Sequence, residues 1–352
     1  MSDTEEFVPG KVLSVGPAQV NAELQKSTGM ISRRETAQIE ILGGVCQGEK
    51  VEVFNEITDN PVFNINLSPG KEVLLIVNLA GGKKEINIAD YHRVPSLSVL
   101  LIVFLVAFVF FGGKKGVKSL IALVISVLLI AFVLLPLSLA GFDPLAVSIG
   151  ICIATTLATM YFVAGWTKKA LAAVLGTVGG VFVAGLAAEL VILLAPLTGL
   201  SSEEAQILRG SVLVRSPSFY QGLLAAGMLI GALGVIMDVG ISIASTVTEV
   251  SLAGQGLGWK KLYEAGMNVG RDIMGTMTNT LILAYTGSAL PLLLLISQMP
   301  LNKLINLDLV ATEVASAISG SLGLVLTIPL TAFFAARLMA AGSPGGQGNS
   351  SG

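Results

Sequence analysis

The sequence predicts an α-helical polytopic membrane protein with a small N-terminal β domain. Three observations lead to this fold class. Of the 352 residues, 53% are hydrophobic and only 12% are charged, whereas soluble domains carry about 25% charged residues. Apolar runs long enough to cross a bilayer dominate the chain after residue 94. The first 94 residues instead show short alternating segments between turn signals, a pattern typical of β structure.

The N-terminal domain, residues 1–94, contains five predicted strands. They cover residues 11–15, 36–42, 50–54, 72–77 and 85–88, and Gly-, Pro- and Asn-containing turns separate them. About five short strands in about 90 residues predict a small barrel or sandwich, with an OB-like barrel as one form. No basic stripe with interleaved aromatic residues is present, so nucleic-acid binding is not expected.

Residues 95–340 are predicted to form a transmembrane bundle of about seven helices. The apolar spans are 96–112, 119–140, 145–165, 170–197, 221–250, 268–297 and 310–338. The Ala- and Gly-rich stretch 176–188 predicts close helix–helix contact, because small residues let membrane helices approach one another. Residues 341–352 are predicted to form a flexible tail.

The positions of lysine and arginine predict the orientation of the bundle. Alternate loops and the end of the last span are basic, through Lys114, Lys115, Lys118, Lys168, Lys169, Lys260, Lys261 and Arg337. Cytoplasmic loops are rich in these residues, so we expect the β domain outside the cytoplasmic membrane and the C-terminus in the cytoplasm. Residues 1–8 contain no signal peptide or anchor helix. We therefore expect either an anchor helix ahead of Met1, which we favour, or export of the β domain by the first span acting as a reverse anchor.

The fifth span carries an acid in its middle. Asp238, Ser242, Ser245 and Glu249 follow one another at i, i+4, i+7 and i+11 and so share one helix face. A carboxylate in hydrocarbon costs about 2.5–3.5 kcal/mol unless it is paired, hydrated or protonated. Such groups mark ion, proton or substrate paths. Glu189, at similar depth in the fourth span, is a further candidate but has no polar companion in its own helix.

The sixth span carries a second polar stripe, with polar or small residues at i, i+4, i+7, i+8 and i+11 from Asn268. Arg271 either lies at the cytoplasmic interface or reaches the neighbouring helix to pair with Glu249 or Asp238. The predicted ion- or proton-coupling residues are Asp238, Glu249, Arg271, Asp272 and Asn279. The predicted supporting residues are Ser242, Ser245, Asn268, Thr276 and Thr280.

The residue inventory excludes several kinds of catalytic site. His92 is the only histidine, which excludes Ser-His-Asp and Cys-His catalysis. Cys46 and Cys152 lie in segments of opposite character, so we expect no disulfide, and with a single histidine we expect no Cys/His metal site. No HExxH, Walker A or GxSxG motif occurs. We predict no enzyme activity and no cofactor. An intramembrane enzyme built on Asp238 and Asp272 is a weaker alternative, because no GxGD motif accompanies the two acids.

Two segments resemble the YibE/F-like family of bacterial membrane proteins. They are GALGVIMDVGISIAS at 231–245 and GMNVGRDIMGTMTNTLILAYTGS at 266–288, and the ADYHR segment at 89–93 also resembles the family. The resemblance extends from the β domain to residue 338. It implies a protein of the bacterial cell envelope but no particular activity.

The two polar spans also resemble, more weakly, the paired central helices of SecD/SecF, the proton-driven export components of the RND superfamily. Gly234, Asp238 and Glu249 fall near a Gly, an Asn-Asp pair and an acidic helix end, and Arg271 falls near an Arg-Thr pair. This resemblance implies proton coupling. The chain departs from SecD/SecF in two additional spans and in a small, β-rich external domain.

The leading hypothesis is a membrane transporter or export factor coupled to protons or another cation. The alternative is a non-transporting scaffold whose β domain recruits another envelope protein. The expected partners are the lipid bilayer and either an envelope protein or a small-molecule or ion substrate. The small-residue faces also permit a homo-oligomer.

Overall fold

The computed structural model describes residues 4–20, 32–58, 64–80, 83–210, 216–254, 256–296 and 299–341. Contacts between Cα atoms divide the chain into two units, residues 1–110 and 111–352. The first unit contains the β domain and the start of the first helix, and the second contains the remaining helices. All of the predicted tail except Ala341 lies outside the described residues.

The β domain contains the five predicted strands and one short addition. The strands are β1 Thr4–Val15, β2 Gln19–Val20, β3 Ser32–Ile41, β4 Lys50–Thr58, β5 Glu72–Ala80 and β6 Lys83–Tyr91. Two residues are too few for β2 to show an alternating pattern. Two predicted turns contain glycines with positive φ, Gly44 at 74° and Gly70 at 88°, a conformation that glycine adopts without steric cost.

All strand pairs are antiparallel, and β1 holds the sheet together. It pairs with β5 through residues 4–11 and with β3 through residues 10–15. Both pairings meet at Gly10, where a Cβ would lie 2.7 Å from Ile39 and from Leu75, so glycine permits the bend. β3 also pairs with β2 and β4, and β5 with β6. Because β4 and β6 also contact each other, the sheet forms a partly open barrel. The OB-like form stays a prediction.

Alternating side chains fill the interior of this barrel. Ala37, Ile39 and Ile41 of β3 are buried, as are Val73, Leu75 and Val77 of β5. Every second residue of a strand points to the same face. The period of two that predicts the strands is therefore also the pattern that builds the core.

The described residues beyond the β domain contain ten α-helices. They are α1 Val94–Leu129, α2 Leu135–Leu139, α3 Pro144–Ala164, α4 Lys168–Leu194, α5 Glu203–Gly210, α6 Pro217–Ala253, α7 Trp259–Ser288, α8 Leu290–Ile296, α9 Leu301–Leu304 and α10 Asp308–Ala340. A π-helical segment, Ile130–Leu134, joins α1 to α2.

Five helical stretches are long and apolar enough to cross a membrane: 94–139, 144–164, 168–194, 217–253 and 308–340. The first contains both of the first two predicted spans. Its 46 residues would be about 70 Å long as one helix, roughly twice the hydrocarbon thickness. Gly113 is non-helical, with φ 52° and ψ −141°, and separates the two predicted spans. α7, the sixth predicted span, is too polar to be counted, so the number seven stays a prediction.

α4 and α10 form the tightest helix pair of the bundle. A Cβ on Gly180 would overlap Thr327 Oγ1 and would lie 2.8 Å from the Gly323 carbonyl oxygen. The contact face of α4 repeats a small residue every fourth position, at Gly176, Gly180, Ala184 and Ala188, all buried. The predicted contact along 176–188 is therefore confirmed. α6 packs on α4 and α10, and α3 packs on α4 and α6.

Candidate functional site

Asp238 lies on the side of α6 that faces away from the bundle. Ile236, two residues earlier and therefore about 200° around the helix, is fully buried. Asp238 itself is exposed. Ser242 and Glu249 are also exposed, and Ser245 is half-buried. The structure therefore brings the predicted α6 residues onto one face that the other described helices of the second unit leave uncovered.

Three glycines continue this face beyond Asp238. A Cβ on Gly227 or Gly234 would meet nothing within 4 Å, and a Cβ on Gly231 would lie 2.8 Å from the Tyr285 hydroxyl oxygen. The whole surface, here called the acidic face of α6, consists of Gly227, Gly231, Gly234, Asp238, Ser242, Ser245 and Glu249. Its spacing of three and four residues is maintained over six turns of helix.

The predicted stripe of α7 also lies on the outer side of its helix. α7 packs between α6 and α10, because a Cβ on Gly270 would overlap Ile328 and would lie 3.4 Å from Ile243. Gly266 and Leu281 are buried on the same side. The exposed residues of α7 include the polar stripe, here called the polar face of α7: Asn268, Arg271, Asp272, Gly275, Thr276, Asn279 and Thr280.

The two faces lie at the same level of the bundle. A Cβ on Gly266 would lie 2.8 Å from Val247, and Tyr285 lies against Gly231, so α6 and α7 run antiparallel. Asp238 falls between these two contacts and is therefore level with the middle of α7. The sequence predicts a polar seam shared by these helices. The structure places both stripes on the outer sides of their helices, at matching height.

Three threonine hydroxyls in or beside the two faces bond within their own helices. Thr246 Oγ1 donates to the Ser242 carbonyl oxygen at 2.9 Å. In α7, Thr276 Oγ1 donates to the Ile273 carbonyl oxygen and Thr280 Oγ1 to the Thr276 carbonyl oxygen, each at 2.9 Å. These threonines satisfy their hydrogen-bonding groups without joining the helices, so their hydrogen bonds do not close the polar surface.

Arg271 pairs within α7. Its Nη1 donates to Asn268 Oδ1 at 3.2 Å, and the side chain is exposed. Among the residues that the structure describes, all four ion pairs lie between residues 34 and 93. The described arrangement therefore shows Arg271 on the surface of α7 and not in an ion pair with Glu249 or Asp238.

Basic residues gather at one end of the helical unit. The guanidinium of Arg337 lies 4.4 Å from the ring centroid of Trp259, next in sequence to Lys260 and Lys261. α4 runs antiparallel to α10, so Lys168 at its start lies at this end too. Three of the four predicted cytoplasmic groups of basic residues therefore meet at one end.

Glu189 has polar neighbours that other helices supply. It lines a cavity of about 420 Å³ together with Asp143, Ser218 and Gln221. Asp143 also caps α3 by accepting hydrogen bonds from two backbone N–H groups of its first turn, each at 3.3 Å. Glu189 therefore has polar neighbours in the folded chain, although α4 itself supplies none.

A second cavity contains an acid that is not among the predicted site residues. This cavity of about 460 Å³ lies between α7, α8 and α10, and Glu313 is the one charged residue among its described lining residues. Thr278, Tyr285 and Ser321 line it as well. Glu313 lies three residues inside the predicted last span. An acid within an apolar run is the feature that singles out Asp238, and Glu313 has the same feature.

The described residues contain no group of three or more His, Cys, Asp or Glu side chains that could hold a metal ion. Cys46 and Cys152 are free and buried. His92 Nδ1 lies 2.9 Å from Glu72 Oε2 within the β domain. The polar chemistry of the helical unit therefore rests on carboxylates, hydroxyls, amides and one arginine in α7.

The fold and these sites define a helical protein with five stretches able to cross a membrane, preceded by a small β barrel. The model of the YibE/F-like protein family matches residues 100–341, more than half of the chain. The chain therefore belongs to the YibE/F-like family, as segments 231–245 and 266–288 indicate. The match leaves out the β strands and segment 89–93. No curated protein and no solved structure matches the chain.

Proposed function

We propose that the chain is a multi-pass protein of the bacterial cytoplasmic membrane, with its β domain outside and its C-terminus in the cytoplasm. Five stretches of sufficient length and hydropathy support insertion. The common end of Lys168, Lys260, Lys261 and Arg337 supports the orientation, because basic residues favour the cytoplasmic side.

We infer that this protein is a transporter or export factor coupled to protons or another cation. The acidic face of α6 is the observation that carries this inference. A carboxylate exposed to hydrocarbon costs about 2.5–3.5 kcal/mol, so Asp238 requires water, a cation or another polar surface beside it. Glycine, serine and acidic residues alone form the face, so water can occupy it from Glu249 to Gly234, up to the contact of Tyr285 with Gly231.

The charges of the two faces favour a cation. Asp238 and Glu249 on α6 and Asp272 on α7 oppose the single positive charge of Arg271, which leaves a formal net charge of −2 when all four are ionised. The remaining polar groups are hydroxyls and amides that can bond water. Acidic side chains along a path select cations, and carboxylates also carry protons in pumps and transporters.

A scaffold role for the β domain is the second candidate. Phe7, Val45 and Phe54 are 57%, 81% and 57% exposed on the β domain, and exposed apolar side chains favour contact with a partner when they form a patch. Membrane scaffolds need polar side chains only as bonds between helices. The uncovered acidic face of α6 therefore supports transport over a purely structural role.

Ion flux in proteoliposomes tests the proposal. A pH-sensitive dye and dyes for Na⁺ and K⁺ are enclosed, and a membrane potential is imposed. We expect cation entry with the natural protein and a rate at least about tenfold lower for Asp238→Asn. Glu203→Gln changes an exposed carboxylate on α5 and should leave the rate unchanged. Size-exclusion chromatography checks the fold of each variant. Flux absent with the natural protein, or equal in Asp238→Asn, would remove the proposed function.

A further inference from the structure

We propose that the cavity between α7, α8 and α10 binds a small organic cation with apolar substituents, and that Glu313 is its counter-ion. The cavity volume of about 460 Å³ lies within the range of about 300–1,000 Å³ typical of small-molecule sites. Aliphatic side chains form most of its wall, among them Ile282, Leu292, Val310 and Ile318. This site is independent of whether the protein transports ions.

Glu313 has no cationic partner in the described structure. The four described ion pairs all lie within the β domain or at its end, and no described basic residue lines the cavity. The carboxylate is half-buried among aliphatic side chains. An acid in such surroundings is stabilised by an opposite charge beside it, which a bound cation supplies.

Three residues of the cavity lining also have hydroxyl groups without hydrogen bonds in the described structure. Thr278 Oγ1, Tyr285 Oη and Ser321 Oγ are buried and have no hydrogen-bond partner among the described residues. Buried polar atoms in proteins are nearly always hydrogen-bonded, and an exception calls for a physical reason. Hydroxyls from α7 and α10 in one cavity with a carboxylate give a ligand several polar contacts.

The chemistry of the lining selects the class of ligand. An anion is disfavoured, because the one charged lining residue is Glu313. A lipid tail would fill the apolar wall but would leave the carboxylate and three hydroxyls unpaired at a cost. An alkyl- or arylammonium ion satisfies both parts, because its charge pairs with Glu313, its apolar groups meet the aliphatic wall, and the ring of Tyr285 can add a cation–π contact.

A pair of matched ligands tests the site on the unaltered protein. The full chain is purified in an uncharged detergent and titrated calorimetrically with benzylammonium, whose N–H groups can also donate to the cavity hydroxyls. The same titration is made with benzyl alcohol, which has nearly the same size and no charge. We expect saturable binding of the cation and at least about tenfold weaker binding of the alcohol, because a charge-assisted contact contributes about one to two factors of ten. Equal affinities would show that the carboxylate does not select a cation and overturn the proposal, as would no cation binding at about 10 mM.

Variants then locate the binding. Glu313→Gln preserves the size of the side chain and should weaken benzylammonium binding at least about tenfold while leaving benzyl alcohol binding within about twofold. Glu189→Gln changes the acid of the other cavity and should affect neither ligand. The benzyl alcohol titration shows that the Glu313→Gln cavity is still formed. Unchanged cation affinity in this variant would overturn the assignment of Glu313.

Discussion

The hydroxyl oxygen of Tyr285 occupies the space beside Gly231, where a Cβ would lie 2.8 Å from it. This contact places the phenol on the acidic face of α6, seven residues or about 10 Å along the helix from Asp238. The same tyrosine lines the cavity of Glu313. Tyr285 therefore connects the acidic face of α6, which contains the predicted residues Asp238 and Glu249, with the cavity of Glu313, which the sequence does not predict.

Substitution of Gly231 by alanine should displace the phenol without unfolding the protein. The clashing atom is the hydroxyl oxygen at the far end of the Tyr285 side chain, which can rotate. The ring carbon that bears this oxygen lies 3.8 Å from the added Cβ. We expect the melting temperature to stay near that of the natural protein and benzylammonium affinity to fall about three- to tenfold. Calorimetric titration measures the change.

Gly234→Ala is the matched control for this prediction, because a Cβ there meets nothing within 4 Å. In a Tyr285→Phe background the clashing oxygen is gone, so Gly231→Ala should have little further effect. Such non-additivity is expected of residues in direct contact. Purely additive losses would show that Gly231 and Tyr285 act separately.

The crossing of α4 and α10 should not tolerate a methyl group. An alanine at Gly180 would overlap Thr327 Oγ1 and press on the Gly323 carbonyl oxygen, and the backbone cannot yield unless the helices separate. We expect the free energy of unfolding to fall by about 1–3 kcal/mol. Gly150→Ala in α3 meets nothing within 4 Å and should be neutral or stabilising by up to about 1 kcal/mol. Unfolding in mixed detergent micelles distinguishes the two, and equal effects would contradict the packing.

A buried polar pair should stabilise the β domain. Asn55 Nδ2 donates to Glu35 Oε1 and to the Ile65 carbonyl oxygen, each at 2.7 Å. Asn55→Ala leaves both acceptors without this donor, so we expect a loss of about 1–3 kcal/mol. Hydrogen exchange of β3 and β4 peptides, followed by mass spectrometry, measures it. The exposed Asn87 provides an alanine control, and an equal effect there would contradict the role of the pair.

The end of β6 should be sensitive to acid. The Arg93 guanidinium and then the Tyr91 N–H, which both donate to the Asp90 carboxylate, hold the pKa of Asp90 below its usual value. A lowered folded-state pKa stabilises the fold above the unfolded-state value of about 3.9, and the contribution is lost as pH falls through the folded value.

Asp90→Asn should therefore increase hydrogen exchange in β6 slightly at pH 7 and not at all at the most acidic pH. Both partners are half exposed, so the expected loss at pH 7 is below about 1 kcal/mol. Hydrogen-exchange rates of β6 in the natural protein and in Asp90→Asn are compared at each pH after correction for the intrinsic pH dependence of exchange. A difference that persists undiminished to the lowest pH would show that the carboxylate charge is not its source.

Local periodicity could predict much of this molecule. Alternation at Ala37, Ile39 and Ile41 predicts a strand because one face of the barrel is buried, and the polar spacing from Asp238 to Glu249 predicts one helix face. Both patterns depend only on the geometry of a single element. The repeat of small residues at Gly176 and Gly180 predicts a contact face for the same reason.

Relations between elements could not be predicted in this way. The polar neighbours of Glu189 come from α6 and from the start of α3, and Glu313 has polar neighbours from α7. The spacing of residues along one helix therefore cannot predict either cavity. The outward direction of the polar face of α7 depends on how Gly270 packs between α6 and α10. The spacing of the two stripes predicts their faces but not whether these faces meet.

Water access at position 242 is the sharpest test of whether the acidic face of α6 is hydrated. Cys46 and Cys152 are replaced by alanine, and Ser242→Cys is treated in membranes with a charged methanethiosulfonate, which reacts with the hydrated thiolate. We predict a rate within about tenfold of Glu203→Cys on the exposed α5 helix, and at least about 100-fold above Leu186→Cys on the apolar surface of α4. A rate at position 242 as low as at position 186, with normal reaction toward a membrane-permeant maleimide, would show that the acidic face of α6 is dry and would overturn the proposed cation path.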